Sequence, residues 1–237
     1  MAPAGTGEDS LRRQALSAPG LEVIGTTVGQ VAENSFTVWR EGSGRAVMID
    51  PGDEPDRLMG PLADRGLELE AILLTHCHFD HVGAVAPIAR ATGAPVYCPE
   101  IETGVLADIM AYVPWPGFGP FEGWEAEETV AGGEKLELAG LSFDVLFTPG
   151  HSPGHVTYSL PEFGAVFSGD VLFQGSVGRV DLPGGDWETL LGSLRLLVES
   201  HDPETTVYPG HMGVTTIGAE LAGNPFLTGI EGAADGR

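Results

Sequence analysis

The stretch Leu73-Leu74-Thr75-His76-Cys77-His78-Phe79-Asp80-His81 (LLTHCHFDH) sets three histidines and an aspartate within six positions, directly after an apolar run. The chain has only seven histidines in 237 residues, so this one segment uses nearly half of them. Side chains two apart in an extended chain point to the same side, which pairs His76 with His78. Adjacent Asp80 and His81 must point elsewhere, so a second ion is their natural acceptor.

Working outward, the same pattern returns three times. AILLT (71–75) leads into His76, FDVLFT leads into Pro149-Gly150-His151, AVFSG leads into Asp170, and TVYPG leads into His211. Each apolar strand-like run is followed at once by a ligand-type residue, which is how α/β proteins gather a site at the carboxyl edge of a sheet. Glycine and proline beside His151 and His211 let the backbone turn sharply. Imidazole and carboxylate together suit zinc, iron or manganese better than calcium, which prefers oxygen alone. A lone histidine after a strand is more often a capping or core residue. Seven ligand-type residues at matching strand ends point to metal.

Between these motifs the chain alternates strand-like and helical patterns. LEVIGTTVG, SFTVWR and RAVMID read as strands, the last ending in the turn Asp50-Pro51-Gly52-Asp53. Residues 54–67 read as a helix, HVGAVAPIARATG as another closed by Gly93, and APVYCP as a strand. EKLELAG, LSFDVLFT, VTYSLP, GAVFSGD and TTVYPG continue the strands, and WETLLGSLRLLVES is an amphipathic helix. The fold class is therefore α/β. Residues 1–20 are expected to be a flexible lead-in, 21–230 one continuous domain with two similar halves, and 231–237 a short tail.

Composition narrows the partners. Acidic residues outnumber basic ones by 34 to 11, the formal net charge is −23, and Lys135 is the only lysine. Such a surface repels nucleic acid and anionic membranes. Two cysteines make no disulfide framework. No apolar run has the length of a signal-peptide core or a membrane span, so a cytoplasmic location is expected. Oligomeric state is left open.

HCHFDH matches the HxHxDH signature of the metallo-β-lactamase superfamily, and PGHSPGH, SGD and PGH follow in that family's order, so the chain resembles it over roughly residues 21–228. The resemblance implies a four-layer αβ/βα sandwich with metals at one edge. By motif, His76, His78 and His151 would hold a first ion, and Asp80, His81 and His211 a second, with Asp170 bridging. Asp80 doubles as a candidate proton acceptor. The implied cofactors are two divalent ions, zinc first, with iron or manganese as alternatives. His155 and Asp50 are expected to orient ligands from behind. His201 reads as a solvated loop residue and Cys77 as a small buried filler.

GDVLFQGSVGRVDLPGGD and PGHMGVTTIGAELAGNPFL resemble a compact bacterial subgroup related to glyoxalase II, which implies a thioester hydrolase acting on a small-molecule acyl thiol with hydroxide as nucleophile. Val180 and Met212 depart from that subgroup, where threonine and glycine are expected. Arg179 is the candidate substrate contact, with a structural salt bridge as the alternative. Residues 110–124 carry five aromatics and three prolines, and are expected to form a lid or apolar wall over an acyl group, or else a packed loop or dimer contact. Rival readings are a mono-iron persulfide dioxygenase, a lactonase or esterase, and a non-catalytic structural metal module.

Overall fold

The computed structural model describes residues 13–15 and 19–228. The first half runs β1 (Arg13–Ala15), β2 (Leu21–Val28), β3 (Glu33–Arg40), β4 (Arg45–Ile49), α1 (Pro55–Arg65), β5 (Glu68–Leu73), α2 (Phe79–Val82), α3 (Val85–Thr92), β6 (Val96–Pro99), α4 (Thr103–Ala107), α5 (Ile109–Tyr112) and β7 (Glu128–Val130). The second half runs β8 (Lys135–Leu138), β9 (Leu141–Phe147), β10 (Val156–Leu160), β11 (Ala165–Gly169), β12 (Leu172–Phe173), β13 (Ser176–Val177), α6 (Trp187–Glu199), β14 (Thr206–Pro209), β15 (Thr215–Thr216) and α7 (Ile217–Gly223).

Strands β1 to β7 form one sheet in sequence order, and the second sheet is ordered β15-β14-β11-β10-β9-β8. Both are buried on two faces, and strand periodicity divides the side chains between cores. In β4, Ala46 and Met48 join a core under α1 and α3, while Val47 and Ile49 face the other sheet. Phe143, Val145, Phe167 and Tyr208 meet that face from the second sheet. Val166 and Val207 point the other way, onto Leu190, Leu194 and Leu197 of α6. Those leucines recur at helical spacing, and Asp186 caps the helix by accepting the Thr189 N–H. The result is the four-layer αβ/βα sandwich.

Strand direction explains why the ligand-type residues converge. β4 and β5 are parallel neighbours, so Asp50 and His76 leave the first sheet at the same edge. β10 is antiparallel to both β9 and β11, which makes β9 and β11 run the same way, and β14 is parallel to β11. His151, Asp170 and His211 therefore leave the second sheet at one edge. The two edges are joined directly: Val156 N–H donates to Thr75 O at 2.8 Å and the Tyr158 hydroxyl to Leu74 O at 3.0 Å.

Three expectations shift. β1 lies inside the stretch expected to be a flexible lead-in and pairs with β2 from Arg13↔Thr26 to Ala15↔Ile24. The single helix read over HVGAVAPIARATG is two pieces, because the backbone leaves helical geometry at Ala84 (φ −102°, ψ 3°). Gly83 before it packs so tightly that a Cβ there would lie 2.4 Å from the Gly52 carbonyl and 2.7 Å from the Phe121 ring. His201 is not a free loop residue: its Nδ1 donates to Leu197 O and its Nε2 meets Ser159 Oγ at 2.9 Å. The 231–237 tail lies outside the described residues. No described helix is long and apolar enough to cross a membrane.

Candidate metal centre

Hydrogen bonds made on the outer side of each ring turn the histidine lone pairs inward. The Thr75 hydroxyl donates to Asp50 Oδ2 at 2.6 Å, leaving its oxygen to accept from His76 Nδ1 at 3.0 Å. His151 Nδ1 donates to the Arg179 carbonyl at 2.8 Å. With Nδ1 protonated in both, the bare Nε2 atoms face His78 Nδ1, at 3.1 Å from His76 and 2.8 Å from His151. Three ring nitrogens thus crowd one point.

A second group forms beside it. His81 Nδ1 donates to Asp50 Oδ2 at 3.0 Å, so its Nε2 faces inward, 3.3 Å from Asp170 Oδ1 and 3.9 Å from Asp80 Oδ2. His211 Nε2 lies 3.3 Å from Asp80 Oδ2. Asp170 stands between the groups, with Oδ2 at 3.3 Å from His151 Nε2 and 3.6 Å from His211 Nε2. All seven residues expected as ligands from sequence meet here. Asp50 accepts from the Thr75 hydroxyl and from His81 Nδ1, and His155 Nε2 accepts the Asp170 backbone N–H at 3.0 Å.

The donor set fits divalent ions. Ligand atoms about 2.1 Å from a tetrahedral ion sit roughly 3.4 Å apart, which matches these spacings. His81 Nε2 and Asp170 Oδ1 are buried and lack hydrogen-bond partners among the described residues. Buried polar atoms without partners are rare, and a bound cation would satisfy both. Gly210 keeps the space open: a Cβ there would stand 2.3 Å from Asp170 Oδ1 and 2.7 Å from His81 Cε1.

The protein's own charges divide the cluster. Burial, then His81 and the other rings, hold the His76 imidazole well below its ordinary range, and burial with His151 brings His78 down to about 4. Burial also lowers His155. Burial opposes protonation of His81 too, but Asp170 and Asp80 outweigh it and raise its pKa. Asp170 runs the opposite way: burial pushes its carboxyl up, while His81 and His151 pull it well below the carboxylate range. Carboxylates concentrated around Asp170 are what would draw cations.

Sequence reading missed three supports. Buried Glu102 accepts from Cys77 N–H at 2.5 Å, Gly154 N–H at 2.9 Å and the Ser152 hydroxyl, tying the His76–His78 loop to the His151 loop. Asn34 donates to Pro209 O at 3.1 Å and Met212 O at 2.9 Å, which fixes the His211 turn. Glu33 is fully buried, its carboxylate 4.0 Å from His81 Nδ1 and without a hydrogen-bond partner among the described residues. Burial raises its carboxyl, His81 opposes this, and Asp50, Asp80 and Asp170 add to it. Glu102 and Asn34 act on residues 25 to 178 positions away, so no local pattern announces them. Cys77 is buried as expected, 3.4 Å from Cys98 Sγ.

A cavity of about 670 Å³ opens onto the cluster. His78, Asp80, His151, Asp170 and His211 line its floor, and Arg179 stands on its wall. The Arg179 guanidinium is held by two bonds to Asp181, at 2.6 and 2.7 Å, and lies 5.6 Å from the Trp115 ring centre. The aromatic segment packs onto Phe79, next to Asp80: Phe118 at 4.8 Å, Phe121 at 5.8 Å and Trp115 at 6.3 Å between ring centres. α5 carries its first residues, up to Tyr112.

The chain is similar to known proteins in sequence and fold. The family model described as Metallo-beta-lactamase superfamily matches residues 28–211. Hydroxyacylglutathione hydrolase GloC of Haemophilus influenzae is 36% identical over 220 residues, spanning 87% of this chain and 97% of that protein. Among solved structures, the BLEG-1 B3 metallo-β-lactamase superposes with a TM-score of 0.82 at 37% identity, covering 87% of this chain and 100% of its own. TTHA1623, crystallised in a di-iron-bound form, gives 0.76 at 46% identity, covering 86% and 99%. Two-sheet architecture, motif order and overall likeness agree, and the chain belongs to the metallo-β-lactamase superfamily.

Proposed function

We propose that this metallohydrolase-family protein cleaves a thioester of a low-molecular-weight thiol. The observation that carries the reading is an open, largely apolar cavity whose floor is a convergent imidazole and carboxylate cluster. The likeness to a hydroxyacylglutathione hydrolase supports the thioester as the bond cleaved. In this reading His76, His78 and His151 would hold one divalent ion, Asp80, His81 and His211 would hold a second, and Asp170 would contribute to both sites. Zinc is the first choice and iron the alternative, in view of the di-iron-bound relative. Two such ions, when bound, lower the pKa of a water toward ~7 and polarise a carbonyl.

The chain's own residues supply the rest. Asp80, at the cavity floor, accepts the proton released as water attacks the acyl carbon. His155 and Asp50 hold Asp170 and His81 so that the cluster does not reorganise as charge develops. The segment from Tyr112 to Trp115 shelters the acyl group from bulk solvent. The thiolate departs through the open side, past Arg179.

Metal content and a thioester panel test this together. About two ions per chain with thioester hydrolysis above oxo-ester hydrolysis is the expected result. One iron per chain with oxygen uptake on a persulfide would replace the reading with a dioxygenase. A preference for lactones would make it a lactonase, and inactivity in the fully metallated protein would favour a structural module.

A further inference from the structure

We infer that the substrate is a thioester with an extended apolar acyl group and a thiol portion that brings no net negative charge. This rests on the hydrolase reading above and names the substrate class of that site. Two independent observations carry it.

The first is the apolar character of the walls. Val31, Ile101, Tyr112, Val113, Trp115 and Met212 all line the cavity. Ile101 is 62% exposed, Tyr112 59% and Met212 57%. Large apolar side chains gathered in the open around one cleft mark a binding surface rather than chance exposure. A small hydroxyacyl group would leave most of this surface wet. An acyl chain of six or more carbons would cover it, continuing outward from the ligand cluster over these side chains.

The second is the lack of free cations. Among the described lining residues Arg179 is the only lysine or arginine, and its guanidinium already makes both bonds to Asp181. The sole lysine, Lys135 in β8, pairs with Asp144 in β9. Glu102, outside the proposed ligand set, also lines the cavity, in a protein whose formal charge is −23. A thiol portion bearing phosphates or several carboxylates would meet repulsion at the mouth with nothing to receive it. A neutral or cationic thiol portion meets none.

Two series measured on the metal-loaded enzyme test both halves. In the first, acetyl, butyryl, hexanoyl and lactoyl groups share the neutral thiol N-acetylcysteamine. Burying each methylene is worth roughly four-fold, so kcat/KM should rise on the order of 100-fold from acetyl to hexanoyl, with lactoyl near acetyl. Ile101→Ser and Tyr112→Ser should each flatten that slope. In the second, the hexanoyl group is carried by N-acetylcysteamine, glutathione or coenzyme A. The neutral thiol should lead, and added salt should raise turnover of the anionic thioesters alone by screening repulsion.

A preference for lactoyl, a flat chain-length profile, or coenzyme A leading with activity falling in salt would overturn the inference. Binding of S-hexyl-N-acetylcysteamine, a thioether that cannot be hydrolysed, is measured separately by calorimetry. If no thioester turns over yet this probe binds and the acetylated analogue with an S-methyl group does not, the hydrolase reading fails while the apolar site stands. If neither binds, the inference fails.

Discussion

His155 reaches Asp170 through the backbone: its Nε2 accepts the Asp170 N–H at 3.0 Å, leaving the carboxylate to face His81 and His151. Its Nδ1 meets Thr148 Oγ1, also at 3.0 Å. The ring is therefore a brace that sets where the Asp170 carboxylate begins.

Replacing His155 with alanine removes that brace without touching a ligand atom. Supporting residues of this kind typically contribute 10–100-fold in metal affinity, and a loss of about that size is expected on chelator competition. Unchanged affinity would show that β11 alone positions Asp170.

Gly210→Ala tests the crowded centre. The new Cβ would stand 2.3 Å from Asp170 Oδ1 and 2.7 Å from His81 Cε1, so those side chains must move while the sheets stay intact. We expect a folded protein, by circular dichroism, that retains less than half of the metal bound by the parent. Full metal content would mean the proposed ligands lie elsewhere.

Glu102→Ala leaves the Cys77 and Gly154 N–H groups buried without their acceptor. Each orphaned donor costs about 1–3 kcal/mol, so the melting temperature should fall by roughly 6–12 °C for a loss near 3 kcal/mol. Calorimetry reads this directly. A change within error would mean that water replaces the carboxylate.

Metal removal should destabilise the whole molecule. A ligand present at a thousand times its dissociation constant stabilises by about 4 kcal/mol, and the cluster joins both sheets at their shared edge. Dialysis against a chelator is expected to lower the melting temperature, and adding back zinc or iron to restore it. An unchanged melting temperature would place any bound metal outside this cluster.

The ligand-type residues were legible because their signal is local. Apolar strand runs ending at His76, His151, Asp170 and His211 reveal both the strand and its turn into the edge. Alternation likewise marked β9 and leucines at helical spacing marked α6, while Gly93, left-handed in the structure, marked the end of α3. Very short strands such as β12, β13 and β15 escaped, because two residues are too few for any periodicity to register.

Sequence by itself marked out the candidate metal-binding residues, the α/β alternation and the family, since residue type and spacing are written along the chain. Only the tertiary structure decided which groups stand behind them. Glu102 bridges two loops that lie 25 and 50 positions from it on opposite sides, and Asn34 grips a turn 178 residues away. It also decided that Arg179 is spent on Asp181 and that Ile101 and Met212 face one cleft. Such pairings depend on how two sheets meet at one edge, and strand spacing carries no record of that.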